Sequence, residues 1–457
     1  METNPQPELK QEQSAQPGLV NKLSHKPADL NALKPFGGFD IVISTIEDAK
    51  YLNPTGSKAL KETFLKDKDN AVKRGALKNR LQLMLDVLNA SKNPSETVEL
   101  FQKGFEKSTV LLNANLKEAL EKTEELESSY RQIDLFFKNT GNEKIKNLTL
   151  VNAHKSQIMD LDNPQVSSRV REEFAANYDR IDMRQNYSLL VIPGYLGSNA
   201  VLDHWGEIAL KNKVMMVTDM EDLDTPEDVV SLFEAKDHAG GSAYKSNMLM
   251  TSNWVIGRKG EEQVRDGNPL YIGASAALAG KMYTGNIAQP KAGFKFGILE
   301  GIDGVKFNLK LSEIGELEKL GLIPMVFERG KVFAYSAKTL FNGDNLGLQT
   351  YSVVRVFDWV AKVMMDFLNR RAFENVDFNT IQELKKQISK FLNSIKGTGN
   401  IIEDFTITKF EQDPTKKDRI LLDISLKPFF AARSFTLGLD GTKGDDNAID
   451  WNSNVSK

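Results

Sequence analysis

The chain has 457 residues, of which 40% are hydrophobic and 26% charged, with a formal net charge of −3. This length exceeds what one core usually supports, so two or three domains of ~100–200 residues are expected, and the near-neutral balance gives no electrostatic case for nucleic acid or an anionic membrane as partner. The sequence holds no cysteine, which excludes disulfides, thiolate metal sites and thiol nucleophiles together, and none of its four histidines (His25, His154, His204, His238) stands at metal-ligand spacing from another.

Residues 1–18 are polar and rich in proline and glutamine, with neither a basic nor an apolar signal region, and read as disordered. No run approaches the ~20 apolar residues of a membrane span, so the expected location is a reducing, bacterial-type cytoplasm without membrane insertion. Leu19, Val20, Leu23 and Leu30 form a short amphipathic candidate, interrupted at Pro27 and closed by Pro35. Alone it is too short for a stable helix, which leaves disorder or folding onto a partner's groove. After Gly37-Gly38, the run Phe39, Asp40, Ile41, Val42, Ile43, Ser44, Thr45, Ile46 is a strong strand rich in β-branched residues, with Asp40 an edge charge. No hairpin partner lies nearby, so this strand must pair far along the chain or in another chain.

A helical stretch begins near Pro54 and carries Leu77, Leu81, Met84, Leu85 and Leu88 along one face. It breaks at Ser91–Pro94 and restarts at Asn93-Pro94-Ser95-Glu96, which has the order of an N-cap, a proline at N1 and a glutamate at N3. Val98, Phe101 and Phe105 recur at helical spacing, and the helix is expected to continue to about Phe137. Ile145 to Val151 reads as a strand, and Val166 to Tyr178 as a helix. Ser188 to Pro193 is a buried-strand pattern ending in Pro-Gly. A helix capped by Ser198 or Asn199 follows, with Val201, Trp205, Ile208 and Ala209 inward and a stop at Asn212, and Val214 to Val217 is a second buried strand. This βαβ unit predicts a parallel or mixed sheet with helices on both faces.

From Asp219 to about Tyr351 short strands alternate with glycine-rich loops, and Glu328-Arg329-Gly330-Lys331 marks a hairpin. Helices are expected from Tyr351 to Arg371 and from a cap at Asn379 to Gly397. Alternation then gives strands through Phe405 and Ile407, through Ile420, Leu422, Ile424 and Leu426, and through Phe435, Leu437 and Leu439, an incomplete sheet with one apolar face. The organisation expected is a flexible segment 1–36, a linker strand 37–53, a helical region 54–144, an α/β core 145–350, a helix-plus-sheet domain 351–440 and a polar tail 441–457.

Three constellations bear on chemistry. The Gly194-x-x-Gly197 turn stands where a phosphate loop would lie, but it lacks both G-x-G-x-x-G and G-x-x-x-x-G-K-[ST] and is better read as a tight turn. Ser198, Asp203 and His204 are too close in sequence to make a triad, and no G-x-S-x-G elbow is present. Asp219, Glu221, Asp222 and Asp224 follow a strand end where metals can bind, yet they read better as a polar loop before a helix capped at Thr225. These residues support no catalytic, cofactor or metal site. A soluble α/β enzyme using the βαβ unit stays as the competing class; it predicts a ligand in the 194–197 turn.

Long runs, GGFDIVISTIEDAKYLNP, SSYRQIDLFFKN, YSLLVIPGYLGSNAVLDHWG, KVMMVTDMEDL and SNWVIGRKGEEQVRDGNPLYIG, with the ending VFDWVAKVMMDFL and LLDISLKPFFAARSFTLGL, closely resemble the large subunit of the type VI secretion contractile sheath, the TssC type in its Bacteroidetes form. The resemblance covers almost the whole chain from about Phe36. It departs at Asp358 and Phe429, where histidine is common. It implies a mixed α/β fold like that of phage-tail sheaths, with a C-terminal sheet completed by neighbouring subunits. It also implies a structural protein without catalysis, in an obligate heterodimer with a small sheath subunit, polymerised helically around an inner tube on a baseplate. The strand Phe39–Ile46 would then be donated and the sheet Phe405–Leu439 would accept. Leu19, Val20, Leu23 and Leu30 correspond to a segment that a AAA+ disassembly ATPase binds in some members. The nearer alternative is the sheath of another contractile injection or phage-tail-like system.

Overall fold

The computed structural model describes residues 71–141, 143–178, 180, 186–260, 269–375, 377–442 and 449–456. The expected strand at 39–46 and the apolar positions 19, 20, 23 and 30 lie outside the described residues. The chain divides into two compact units, residues 1–116 and 117–457.

In the first unit, α1 (Ala71–Ala90) keeps Leu81, Met84, Leu85 and Leu88 half-buried, and α2 (Pro94–Lys122), whose last turns belong to the second unit, begins where the sequence places its cap. Asn93 Oδ1 accepts the Glu96 N–H at 2.9 Å while the Glu96 carboxylate accepts the Lys92 N–H at 2.8 Å. Two donors that a helix start leaves unpaired are thereby satisfied, and Pro94 has none to lose.

Next comes α3 (Glu124–Asn139), separated from α2 at Thr123 rather than continuous with it as the periodicity suggested. The expected strand Ile145–Val151 does not form: these residues pair with no strand among the described residues, and Leu148, Leu150 and Val151 are exposed. After α4 (Lys155–Met159) and α5 (Gln165–Tyr178), the predicted βαβ unit is present as β1 (Leu189–Val191), α6 (Asn199–Lys211) and β2 (Met215–Asp219). Ser198 caps α6, its hydroxyl accepting the Val201 N–H, and Asn212 closes it. Then follow α7 (Pro226–Lys236), β3 (Met248–Ser252), β4 (Val255–Arg258), β5 (Leu270–Ile272), α8 (Ser275–Tyr283), α9 (Gly293–Phe296), α10 (Leu311–Lys319), β6 (Leu322–Glu328) and β7 (Lys331–Ala334).

The central sheet has the order β1-β2-β3-β6-β7, the first four strands parallel and β7 antiparallel. Arg329 (φ 52°) and Gly330 (φ 72°) are both left-handed between β6 and β7, the two-residue turn that matches strand twist. Side chains alternate across the sheet. Met215 and Val217 face α8 and Leu135 of α3; Met216 faces Trp205, Ile208 and Ala209 of α6, with Phe233 of α7 and Leu317 of α10. Helices therefore cover both faces, as buried parallel strands require. Gly280 is where α3 and α8 touch, since a Cβ there would lie 2.3 Å from the Phe136 carbonyl oxygen.

The chain ends with α11 (Tyr351–Asn369), α12 (Phe378–Ser394) and two separate hairpins, β8 (Ile402–Gln412) with β9 (Ile420–Pro428), and β10 (Thr436–Thr442) with β11 (Ile449–Ser456). Asp377, not Asn379, caps α12, accepting the Thr380 N–H at 2.7 Å. The polar segment expected as a tail contains β11, and Leu437 and Leu439 pair with Val455 and Ser453 rather than extending the β8–β9 sheet. Strand pairing here comes from backbone complementarity, which a polar stretch can supply as well as an apolar one.

Candidate functional site

The turn after β1 is closed by the protein itself. Gly194 (φ 90°) and Gly197 (φ 78°) make the bend, and the Gly194 N–H donates to Asp219 Oδ2 at 2.8 Å. Asp219 ends β2 with no exposed surface and also accepts the Thr251 hydroxyl at 2.5 Å, the Ser275 N–H at 2.8 Å and the Ser275 hydroxyl at 2.6 Å. Burial pushes its carboxyl up, opposed by those four donors, which favour the ionised form. Gly273 must lack a side chain, because a Cβ there would stand 2.2 Å from Asp219. The carboxylate thus ties the ends of three elements of the sheet domain together and leaves the turn no free donor at Gly194 for a phosphate.

The other acids of that run go elsewhere. Asp222 and Asp224 both pair with Lys306, at 2.9 and 2.7 Å, and Thr225 caps α7 by accepting the Asp228 N–H. Ser198, Asp203 and His204 likewise separate: Ser198 caps α6, Asp203 pairs with the buried Lys245 at 2.6 Å, and His204 Nε2 meets the Ser167 hydroxyl at 2.9 Å. Among the described residues no group of three or more acidic, histidine or cysteine side chains could hold a metal ion.

Among the described residues, β8–β9 and α2 present strand edges and apolar side chains that could meet a partner. In the β8–β9 ladder Phe405 opposes Leu426, Ile407 opposes Ile424 and Phe410 opposes Leu422, a bulge after Ile407 bringing Phe410 onto the same face. That face packs on Val356, Val360 and Met364 of α11 and Ile388 and Leu392 of α12. Ile420, at the β9 start opposite Gln412, is not part of this packing, and Phe435 is exposed ahead of β10. A two-stranded sheet is marginal alone, and here the helices hold it. Among the described residues neither strand pairs with a third strand, and the outer edge of β8 is bridged at Ile402 by Lys396. On α2, Val98, Phe101, Phe105, Leu112 and Leu116 are exposed at three-, four- and seven-residue spacing, the seam of a helix that packs along another helix.

Family models cover the chain in three consecutive pieces: the TssC/VipB-like N-terminal region over 27–116, the type VI secretion system TssC/VipB central domain over 118–342, and the TssC/VipB-like C-terminal domain over 350–457. The chain belongs to the TssC/VipB family of type VI secretion systems. This is the family of the large subunits of the contractile sheath, which are structural proteins. The tail sheath protein of Vibrio phage KVP40 is 23% identical over 169 residues, which is 36% of this chain; the match spans a quarter (25%) of the phage protein. Among solved structures, the anti-feeding prophage baseplate is similar with a TM-score of 0.46 and 17% identity, over 69% of this chain and 80% of that one. The contracted helical sheath of the same prophage gives 0.45 and 16%, over 70% and 82%.

Sequence reasoning on this TssC/VipB chain missed the role of Asp219 and the seam on α2. Asp219 was weighed as one member of an acidic run, and its donors lie 25, 32 and 56 positions away. The seam was legible in the spacing of Val98, Phe101 and Phe105, but spacing alone does not say that the face stays uncovered.

Proposed function

We propose that this TssC/VipB member is the large structural subunit of a type VI secretion sheath. It pairs with a small sheath subunit, polymerises helically around an inner tube on a baseplate, and shortens to drive effectors into a target cell. The observation that carries this reading is the β8–β9 hairpin, with its apolar face covered from within and its strand edges open. An incoming strand adds main-chain hydrogen bonds of ~0.5–1.5 kcal/mol net each, and repetition of such an open contact gives a filament rather than a closed oligomer. The segment 39–46 is the donor, and Phe405, Ile407, Leu422, Ile424 and Leu426 brace the acceptor. Rigid domains move as bodies while exchanged strands stay paired, so the polymer shortens without dissociating.

The α2 seam is the surface offered to the small subunit. On this reading the protein has no catalytic role and works in the bacterial cytoplasm; no described helix is long and apolar enough to cross a membrane. A AAA+ ATPase recognises the segment holding Leu19, Val20, Leu23 and Leu30 after contraction. Deletion of 39–46 tests the reading: the heterodimer is expected to remain soluble and long sheaths to disappear, and normal tubes from that variant would overturn it.

A further inference from the structure

A cleft of about 450 Å³ opens in the second unit beside the start of β1 and β2, with α11 as its wall. Among the described residues five cations line it, Lys146, Lys213, Arg355, Lys362 and Arg370, with two acids, Asp358 and Asp366. Both acids are engaged. Asp358 accepts the Asn247 amide at 2.8 Å and lies 3.6 Å from Lys213, and Asp366 holds Arg370 at 2.8 Å. Among the described residues no carboxylate lies within ion-pairing distance of Lys146, Arg355 or Lys362.

Arg355 is only 8% exposed; one terminal nitrogen donates to the Met282 carbonyl at 3.0 Å, while its Nε has no hydrogen-bond partner. Lys362 donates to the Tyr187 carbonyl at 2.7 Å. Burial pushes Lys362 down to about 8 and Arg355 to about 10, so both remain charged at neutral pH. The Asp358 charge offsets part of the burial of Lys362 without touching it, whereas the buried Arg355 guanidinium has no carboxylate in contact, which is unfavourable; a planar guanidinium and ammonium groups lining one cleft match a multiply charged oxyanion.

We propose that this cleft is an oxyanion site, taking carboxylate or phosphate groups that carry two or more negative charges. Two sources supply that chemistry: a free small anion, or acidic side chains of a neighbouring subunit. The second rests on the sheath reading above; the first does not.

Titration calorimetry of the unassembled full-length chain with inorganic phosphate and with citrate, at low ionic strength, tests it. Binding is expected to weaken about ten-fold or more in Lys362→Gln and in Lys146→Gln, because each removes a charge-assisted contact, and to be unchanged in Lys103→Gln, whose lysine pairs with Glu99 on α2. Repeating the titration on the polymer assigns the source: binding lost on assembly means a neighbour's acids fill the cleft, and binding retained means a free anion does. No binding to either anion, or equal binding by the wild type and both cleft variants, would overturn the proposal. A chain that binds phosphate but never polymerises overturns the sheath reading and leaves the oxyanion site standing.

Discussion

The central sheet domain and the C-terminal β8–β9 hairpin use the same material to opposite ends. In the first, helices cover both faces of the sheet, and even the turn after β1 has its donor taken by Asp219. In the second, helices α11 and α12 cover one face and the edges stay open. Closure makes a rigid body; an open edge makes a joint. On the proposed reading the molecule separates stability from assembly along its chain, and perturbations of the two regions are expected to read out differently.

The largest effect is expected inside the closed half. Asp219→Ala strands four buried donors and is expected to destabilise the sheet domain by about 3–5 kcal/mol in denaturant unfolding; a loss below 1 kcal/mol would mean that the network does not hold the sheet ends. Next comes acid. His238 is fully buried, its Nε2 bonded to the Tyr195 hydroxyl at 2.9 Å, and burial with the nearby Lys245 and Lys236 pushes its imidazole down to about 4. The unfolded chain protonates it near pH 6.5, so between about pH 6.5 and 4 the unfolded state gains protons that the folded state refuses. Stability should fall over that window by up to about 3 kcal/mol, and His238→Gln should flatten the slope. Gly280→Ala, which pushes α8 off α3, is expected to cost about 1–3 kcal/mol, seen as a lower midpoint at unchanged secondary structure.

In the open half the order reverses, with small stability effects and large assembly effects. Ile424→Ser weakens a half-buried hairpin contact by about 1 kcal/mol and should leave the unfolding of the sheet domain in place while shortening polymers. Phe105→Ser, on the exposed seam of α2, should change stability by less than about 0.5 kcal/mol and still reduce co-purification of the small subunit.

What the sequence made legible follows the same division. Local chemistry was readable: the βαβ unit with its caps at Ser198 and Asn212, the proline-led start of α2, the cap at Thr225, and the Arg329-Gly330 turn. Pairing across long separations was not. The run Ile145–Val151 has strand propensity but pairs with no strand among the described residues, while the polar segment 449–456 forms β11 against Thr436–Thr442. Asp377 displaced Asn379 as the α12 cap because both residues suit the position and only backbone geometry chooses between them. Asp219 stood out as a strand-end acid, yet its donors are gathered by folding from three distant segments.

The central claim is that the open β8–β9 edge joins subunits by accepting a strand. Electron microscopy of the chain co-expressed with its small subunit, wild type against a deletion of residues 39–46, tests it most directly. Long hollow helical tubes from the wild type and only soluble heterodimer from the deletion are the predicted result; tubes of equal length from both would contradict the account.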